Sequence, residues 1–219
     1  MAALTLICKK PSLGHSKQRL AKAMGSAHTL QIAQALLDCA LDDLGHWQQT
    51  QIIAYENKQD LPFFSKRCPS AQFIQQGHGN LGIRINSIDK ELRESAHQQI
   101  MYIGSDCPTL TIQQLNKVEV ALQTNDFVFV DSDDGGVVLM ANKKPWPKLE
   151  QLPWSQPNLG SELKSACKAH GKVETVACLS DLDTVEDIAP TAALLQNDNR
   201  ASRQRLLARL HQHITTSPA

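Results

Sequence analysis

The stretch QIMYIGSDCPTL, residues 99–110, ends an apolar run on a carboxylate. Ile100, Tyr102 and Ile103 read as a buried strand that stops at Gly104-Ser105-Asp106 and turns at Cys107-Pro108. Thr111 is placed to cap a following helix whose apolar face is Ile112, Leu115, Val118 and Leu122. A buried strand, a sharp turn and a helix make up one half of a βαβ unit.

The pattern repeats on both sides. Upstream, 3–8 and 51–55 read as strands, with a helix over 26–46 that Ser26 can cap. A third strand is expected at 71–76 and a helix over 83–97. Downstream, 127–130, 136–141 and 173–178 are short apolar runs, and 160–170 and 184–196 carry helical spacing. Strand and helix alternate almost throughout, so the expected fold is α/β: a three-layer α/β/α sandwich on a mainly parallel, mixed sheet. Residues 142–159 break the rhythm, because Pro145, Pro147, Pro153 and Pro157 cannot sit in regular interiors. They read as a structured loop, a lid or rim. One domain is expected over 1–196, followed by a helical tail at 197–219. In that tail Leu206, Leu207 and Leu210 share a side, with four arginines around them and a frayed TTSPA end. It reads as a surface helix docking by its leucines, or as a homodimer contact.

The 219 residues carry 22 basic and 22 acidic side chains, a balance that does not advertise nucleic acid or an anionic membrane as the main partner. No apolar run reaches 18 residues. The apolar run that opens the chain precedes its two lysines, the reverse of a secretory leader, so a cytoplasmic protein is expected. The six cysteines form no CxxC pair and no zinc-ligand spacing, and Cys107 reads as turn packing.

In open parallel sheets, ligands bind outside the carboxyl ends of the strands. Asp106 lies one step past such an end, where a carboxylate can hold a divalent cation against phosphate oxygens or cap the turn and the helix beyond it. Four other stretches raise the same choice. The loop 9–20 carries Lys9, Lys10, Lys17 and Arg19 around Gly14, either wrapping a polyphosphate or simply solvated. Gly77, Gly79 and Gly82, before Arg84, admit close backbone approach to a ligand or form a plain turn. Asp131, Asp133 and Asp134 follow a strand and repel one another unless a cation is near or solvent screens them. Asp183 precedes Thr184, which with Asp187 resembles a capping box; Asp183 can point back into the crevice or serve the cap alone.

These stretches, in this order, resemble the rSAM/selenodomain-associated transferase family, which is glycosyltransferase-like and similar to 2-phospho-lactate guanylyltransferase. The family's K-x-P-x-x-G-x-x-K-T-R-L is similar to Lys9–Leu20, with Gln18 in place of Thr, and its Q-G-x-G-D-L-G-x-R to Gln76–Arg84. Its I-G-S-D-C-P is matched in full by Ile103–Pro108, its E-D-G-G-Y resembles Asp133–Val137, and its D-x-D-T-P-E-D-L resembles Asp181–Ile188. Trp154-Ser155 looks like its W-S segment.

The resemblance covers about residues 3–195 and implies a GT-A fold of the nucleotide-diphospho-sugar transferase type. It implies a transferase, either a nucleotidyltransferase using an NTP and a phosphorylated small molecule or a nucleotide-sugar-dependent glycosyltransferase. The implied partners are a nucleotide and a small acceptor, the implied cofactor Mg²⁺ or Mn²⁺ on Asp106 and Asp183. Lys17, Asp106 and Asp134 are the implied catalytic residues. Lys9, Arg19, Gly77, Gly79, Asn80, Gly82 and Arg84 are the implied nucleotide and phosphate contacts. Gln18, Asn80, Val137 and Val185 depart from the pattern, and Gln18 and Val137, on implied ligand loops, leave room for an altered substrate or a degenerate, non-catalytic nucleotide binder.

Overall fold

The computed structural model describes residues 1–216, with side chains through 212. Its strands are β1 (Ala3–Cys8), β2 (Gln51–Tyr55), β3 (Gln72–Gln75), β4 (Ile100–Ile103), β5 (Phe127–Ser132), β6 (Val137–Asn142) and β7 (Val173–Leu179). They form one seven-stranded sheet in the order β3-β2-β1-β4-β6-β5-β7, parallel except for β6. The helices are α1 (Gln18–Met24), α2 (Ser26–His46), α3 (Leu61–Arg67), α4 (Leu81–Glu94), α5 (Ile112–Ala121), α6 (Leu159–Lys168), α7 (Ile188–Leu195) and α8 (Ala201–Thr216). The sandwich expected from the alternation is the observed architecture.

Strand pleating assigns the two cores. On β4, Met101 and Ile103 point to the face packed by α2, α3 and α5, while Ile100 and Tyr102 point to the face packed by α4 and α6. A third apolar cluster lies outside the sandwich, where α1, α7 and α8 cover the outer side of α2. Leu206, Leu207 and Leu210 of α8 are buried there. Among the described residues, no helix is long and apolar enough to cross a membrane.

Local chemistry accounts for most element boundaries. Thr111 caps α5 in a full capping box: its hydroxyl accepts from the Gln114 N–H and the Gln114 side chain accepts from the Thr111 N–H. Ser26, by contrast, is the first residue of α2 and caps nothing, since Gly25 holds the cap position with φ 81°. Thr184 is also no cap. α7 starts only at Ile188, and the Asp187 carboxylate instead accepts from the backbone N–H groups of Asp183 and Thr184. The seven-residue helices α1 and α3 are too short for their periodicity to stand out from the sequence. α8 reaches Thr216, so the first two residues of the expected frayed end are helical, and the other three lie outside the described residues.

The proline-rich loop after β6 belongs in part to the core. Trp146 is 6% exposed and packs on Phe127, Tyr102 and Phe129, with ring centroids 5.3, 6.0 and 6.0 Å away. Asn86 of α4 clamps the same loop, donating to the Pro147 carbonyl at 2.9 Å and accepting from the Leu149 N–H at 2.9 Å. Trp146→Ala should therefore cost about 3–5 kcal/mol of stability, read as a shift in the urea midpoint at unchanged slope.

Candidate functional site

The sheet order decides where the loops go. From β1 the chain steps outward to β2 and β3, then returns to β4 on the other side of β1, so the winding reverses between β1 and β4. At such a reversal the loops part and leave a crevice. β5 and β7 run in the same direction as β4 because β6 alone is antiparallel. The carboxyl ends of six strands therefore share one rim. A cavity of about 750 Å³ opens there, within the usual range for small-molecule sites. A smaller one of about 350 Å³ adjoins it and shares Lys9, Arg19, Ser105, Asp106, Ser155 and Asp183.

Lys17 is the centre of the rim. It precedes α1 in the left-handed region, at φ 46° and ψ 59°, which is strained for a side chain of its kind. Its ammonium lies 2.8 Å from Asp106 Oδ1 and also pairs with Asp183 Oδ1. Burial pulls the Lys17 pKa down, but the two carboxylates more than offset it and leave it above the ordinary lysine value. Asp106 and Asp183, distant in sequence, thus meet one cation. The Asp106 carbonyl also accepts from the Leu182 N–H at 2.9 Å, tying the two acidic loops by backbone. Thr111 caps α5, so Asp106 is not needed there.

Asp181 completes the acidic group, and its role was not read from the sequence. It alternates with Asp183 around the buried Leu182 and lines the same cavity. Burial pushes its carboxyl up to about 7; Asp106, Asp183 and Asp134 add to the rise and Lys17 opposes it. The D-x-D spacing in an extended loop was the available signal. Of the hairpin acids, only Asp134 lines the cavity, with Oδ1 accepting from the Gly136 N–H at 3.0 Å. Asp131 pairs with Lys164 at 2.6 Å, and Asp133 accepts from the Ser180 hydroxyl. Gly135 has φ 90°, and a side chain there would collide with the Pro157 carbonyl.

On the β3 side the structure sets the glycines apart from both cavities. Gly77, Gly79, Asn80 and Gly82 are not among the residues that line either cavity. Asn80 is the N-cap of α4, accepting from the Ile83 N–H at 3.0 Å, and its amide donates to the Glu150 carbonyl at 2.7 Å. Gly82 lets α4 approach another part of the chain: a Cβ there would collide with the Leu149 carbonyl. Trp154 Nε1 donates to that same carbonyl, so the glycine locks the rim loop onto α4.

Arg84 does line the larger cavity. Its guanidinium donates to Gln76 Oε1 at 2.8 Å and faces Glu56 at 3.5 Å, while its buried Nε has no partner. Gln76 is itself buried and donates to the Cys8 and Ala54 carbonyls, so its orientation is fixed by the ends of β1 and β2. Gln76 and Glu56 were not anticipated in these roles.

Lys9 and Arg19 line both cavities as exposed cations, Lys9 donating to the His15 carbonyl at 2.9 Å. Gln18 faces its own loop, donating to the Gly14 carbonyl, and Val137 lines the larger cavity. Cys107 stays a packing residue: burial pushes its thiol up to about 12 against the bond to Thr109.

The donor set suits a hard cation that takes few protein ligands. Among the described residues, no group of three or more His, Cys, Asp or Glu side chains could hold a metal ion. Mg²⁺ asks for less: one or two carboxylates, with water and phosphate oxygens for the rest. Asp106 and Asp183 already flank a point cation.

Residues 40–156 match the family described as uncharacterized protein conserved in bacteria, DUF2064. None of the curated proteins matches the chain significantly. Among solved structures, a provisionally assigned nucleotide-diphospho-sugar transferase from Desulfovibrio desulfuricans G20 superposes with a TM-score of 0.84 at 21% identity, over 98% of this chain and 96% of that one. A 4-diphosphocytidyl-2C-methyl-D-erythritol synthase from Anaerococcus prevotii DSM 20548 gives 0.57 at 16% identity, over 90% and 97%. A cytidylyltransferase from Leptospira borgpetersenii serovar Hardjo-bovis (strain JB197) gives 0.55 at 12% identity, over 100% and 98%. At these identities the likeness is one of fold.

The Asp181 environment predicts a pH dependence. With the carboxyl raised from 3.8 to about 7, the folded chain holds the proton that the unfolded chain has lost. Stability from this group therefore falls as pH rises through that window. Asp181→Asn should be more stable than wild type above about pH 7, and the gain should shrink as pH is lowered toward 4. Urea unfolding across that range measures it.

Proposed function

The chain belongs to the DUF2064 family of bacterial proteins, and on that premise we propose that it is a metal-dependent, nucleotide-using transferase of the nucleotidyl type. The observation that carries this reading is the meeting of Asp106 and Asp183 on one ammonium at the mouth of a nucleotide-sized cavity. The full IGSDCP match and the order of the five motifs support placing it with the rSAM/selenodomain-associated transferases and near the guanylyltransferase they resemble. The structural likeness to a provisionally assigned nucleotide-diphospho-sugar transferase and to cytidylyltransferases agrees with a nucleotide or sugar-nucleotide substrate.

In the proposed reaction, an oxygen of the acceptor's phosphate attacks the α-phosphorus of an NTP, the bond from that phosphorus to the bridging oxygen breaks, and pyrophosphate leaves. Such transfers need positioning and charge neutralisation more than covalent help. Asp106 and Asp183 would hold Mg²⁺ or Mn²⁺, which when bound neutralises charge on the phosphate oxygens. With Asp106 and Asp183 holding such a cation, Lys17 would be free to bind the departing pyrophosphate together with Arg19 and Lys9. Arg84, pre-set by Gln76, binds the nucleotide from the opposite wall. Asp134 orients the acceptor.

Glycosyl transfer is the second reading, because Asp134 on its rigid hairpin is the carboxylate that a hydroxyl acceptor would need as base. Four cations in or beside the cavity favour the more highly charged triphosphate.

Offering each NTP with Mg²⁺ and a library of phosphorylated metabolites should release pyrophosphate. NDP release from nucleotide-sugars would turn the assignment to glycosyl transfer, and binding without turnover would leave a degenerate binder. Asp106→Asn should weaken metal-dependent nucleotide binding by about 10-fold or more, measured by calorimetric titration; an unchanged isotherm would remove Asp106 from the site.

A further inference from the structure

We infer that α8 is a strut for the Asp106 loop, with Arg203 a positioning residue for the carboxylate at the centre of the site. The inference rests on the reading of Asp106 above, but its structural half can be tested without it.

Arg203 is 0% exposed. Its fork spends every nitrogen on fixed partners. Nε donates to the Pro108 carbonyl at 2.9 Å, and one terminal nitrogen donates to the Cys39 carbonyl at 2.8 Å. The other donates to the Leu110 carbonyl at 3.2 Å and to the Asp43 carboxylate. Arg200, one turn earlier, donates to the same Leu110 carbonyl and to Asp43, both at 2.9 Å. Two carbonyls just past Asp106 are thus bonded through α8 to α2. Asp106 itself is bonded on its other side by the Leu182 N–H.

Energetics say what this arrangement is for. A buried ion pair gives little net stability over a well-packed apolar pair, because desolvation offsets the attraction. Burial pushes the Asp43 carboxyl up to about 6 even beside Arg203. Adhesion of α8 is already provided by Leu206, Leu207 and Leu210, buried in the third apolar cluster. Leucines cannot fix the direction of a loop carbonyl, whereas a planar fork with set donor angles can. Placement of the loop is what the arginine adds.

The test uses the full chain. Arg203→Met keeps the apolar stem and removes the fork, and Arg203→Lys keeps the charge. Leu210→Ala loosens the same helix without touching the loop. Amide hydrogen exchange of residues 104–110, with no ligand added, should speed up severalfold in Arg203→Met and less in Arg203→Lys. It should stay within about twofold of wild type in Leu210→Ala, as expected for a site not coupled to the loop. Mn²⁺ binding in the presence of each of the four NTPs, followed by electron paramagnetic resonance, should weaken about tenfold in Arg203→Met and hold in Leu210→Ala. Wild-type exchange in a folded Arg203→Met, or an equal effect from Leu210→Ala, overturns the inference. Should Arg203→Met fail to fold, the comparison of Arg203→Lys with Leu210→Ala decides in the same way. If wild type binds no Mn²⁺-nucleotide, the transferase reading falls while the exchange result still judges the strut.

Discussion

One ammonium between two carboxylates organises this molecule. Lys17 reaches Asp106 and Asp183 from a strained backbone position, and the pair of acids holds its charge against the pull of burial. A backbone conformation of this kind costs about 1–3 kcal/mol and persists only where its surroundings enforce it. Here the surroundings are three loops from β1, β4 and β7 that have to lie side by side for the contact to exist. The ion pair is therefore a record of the sheet order as well as a contact at its rim. Asp181 beside the pair is pushed up chiefly by its burial, with the neighbouring acids adding to the rise and Lys17 opposing it.

The rim is held by close backbone packing at glycines. Gly82 and Gly135 each face a carbonyl of the loop that follows β6, Leu149 in one case and Pro157 in the other. A Cβ at either would push that loop away from the cavity wall. The same loop is anchored in the core by Trp146 and clamped by Asn86. It is therefore fixed at its start and lines the cavity with Trp154, Ser155 and Pro157 further along. A wall so anchored gives the exposed cations Lys9 and Arg19 a defined space to face.

Behind the rim, the polar bonds carry position while the apolar contacts carry adhesion. The third cluster packs α7 and α8 against α2 through apolar side chains. The added fork of Arg203 singles out two carbonyls of one loop, and Gln76 does the same for Arg84 with the ends of β1 and β2. In both cases a buried polar side chain converts a fixed piece of framework into the orientation of a group at the site.

The sequence by itself determined the strands, the longer helices and the points where strands give way to loops, because apolar period acts over a few residues. The run 99–110 carried its strand, its turn and its capped helix in plain view. It also marked Asp106, Asp183, Lys17, Asp134 and Arg84 as charged groups in or beside the loops that follow strands, and all five line one of the two cavities. Only the tertiary structure decided which charges meet. The spacing of Gly77, Gly79 and Gly82 looks the same whether a ligand or another stretch of backbone approaches, and Gly82 faces backbone. Arg203 sits in a helix that reads as docking by its leucines with the arginines around them, yet it is itself fully buried because α2 and the Asp106 loop close over it. Which partner answers a charge depends on the order of strands in the sheet, and no local pattern along the chain encodes that order.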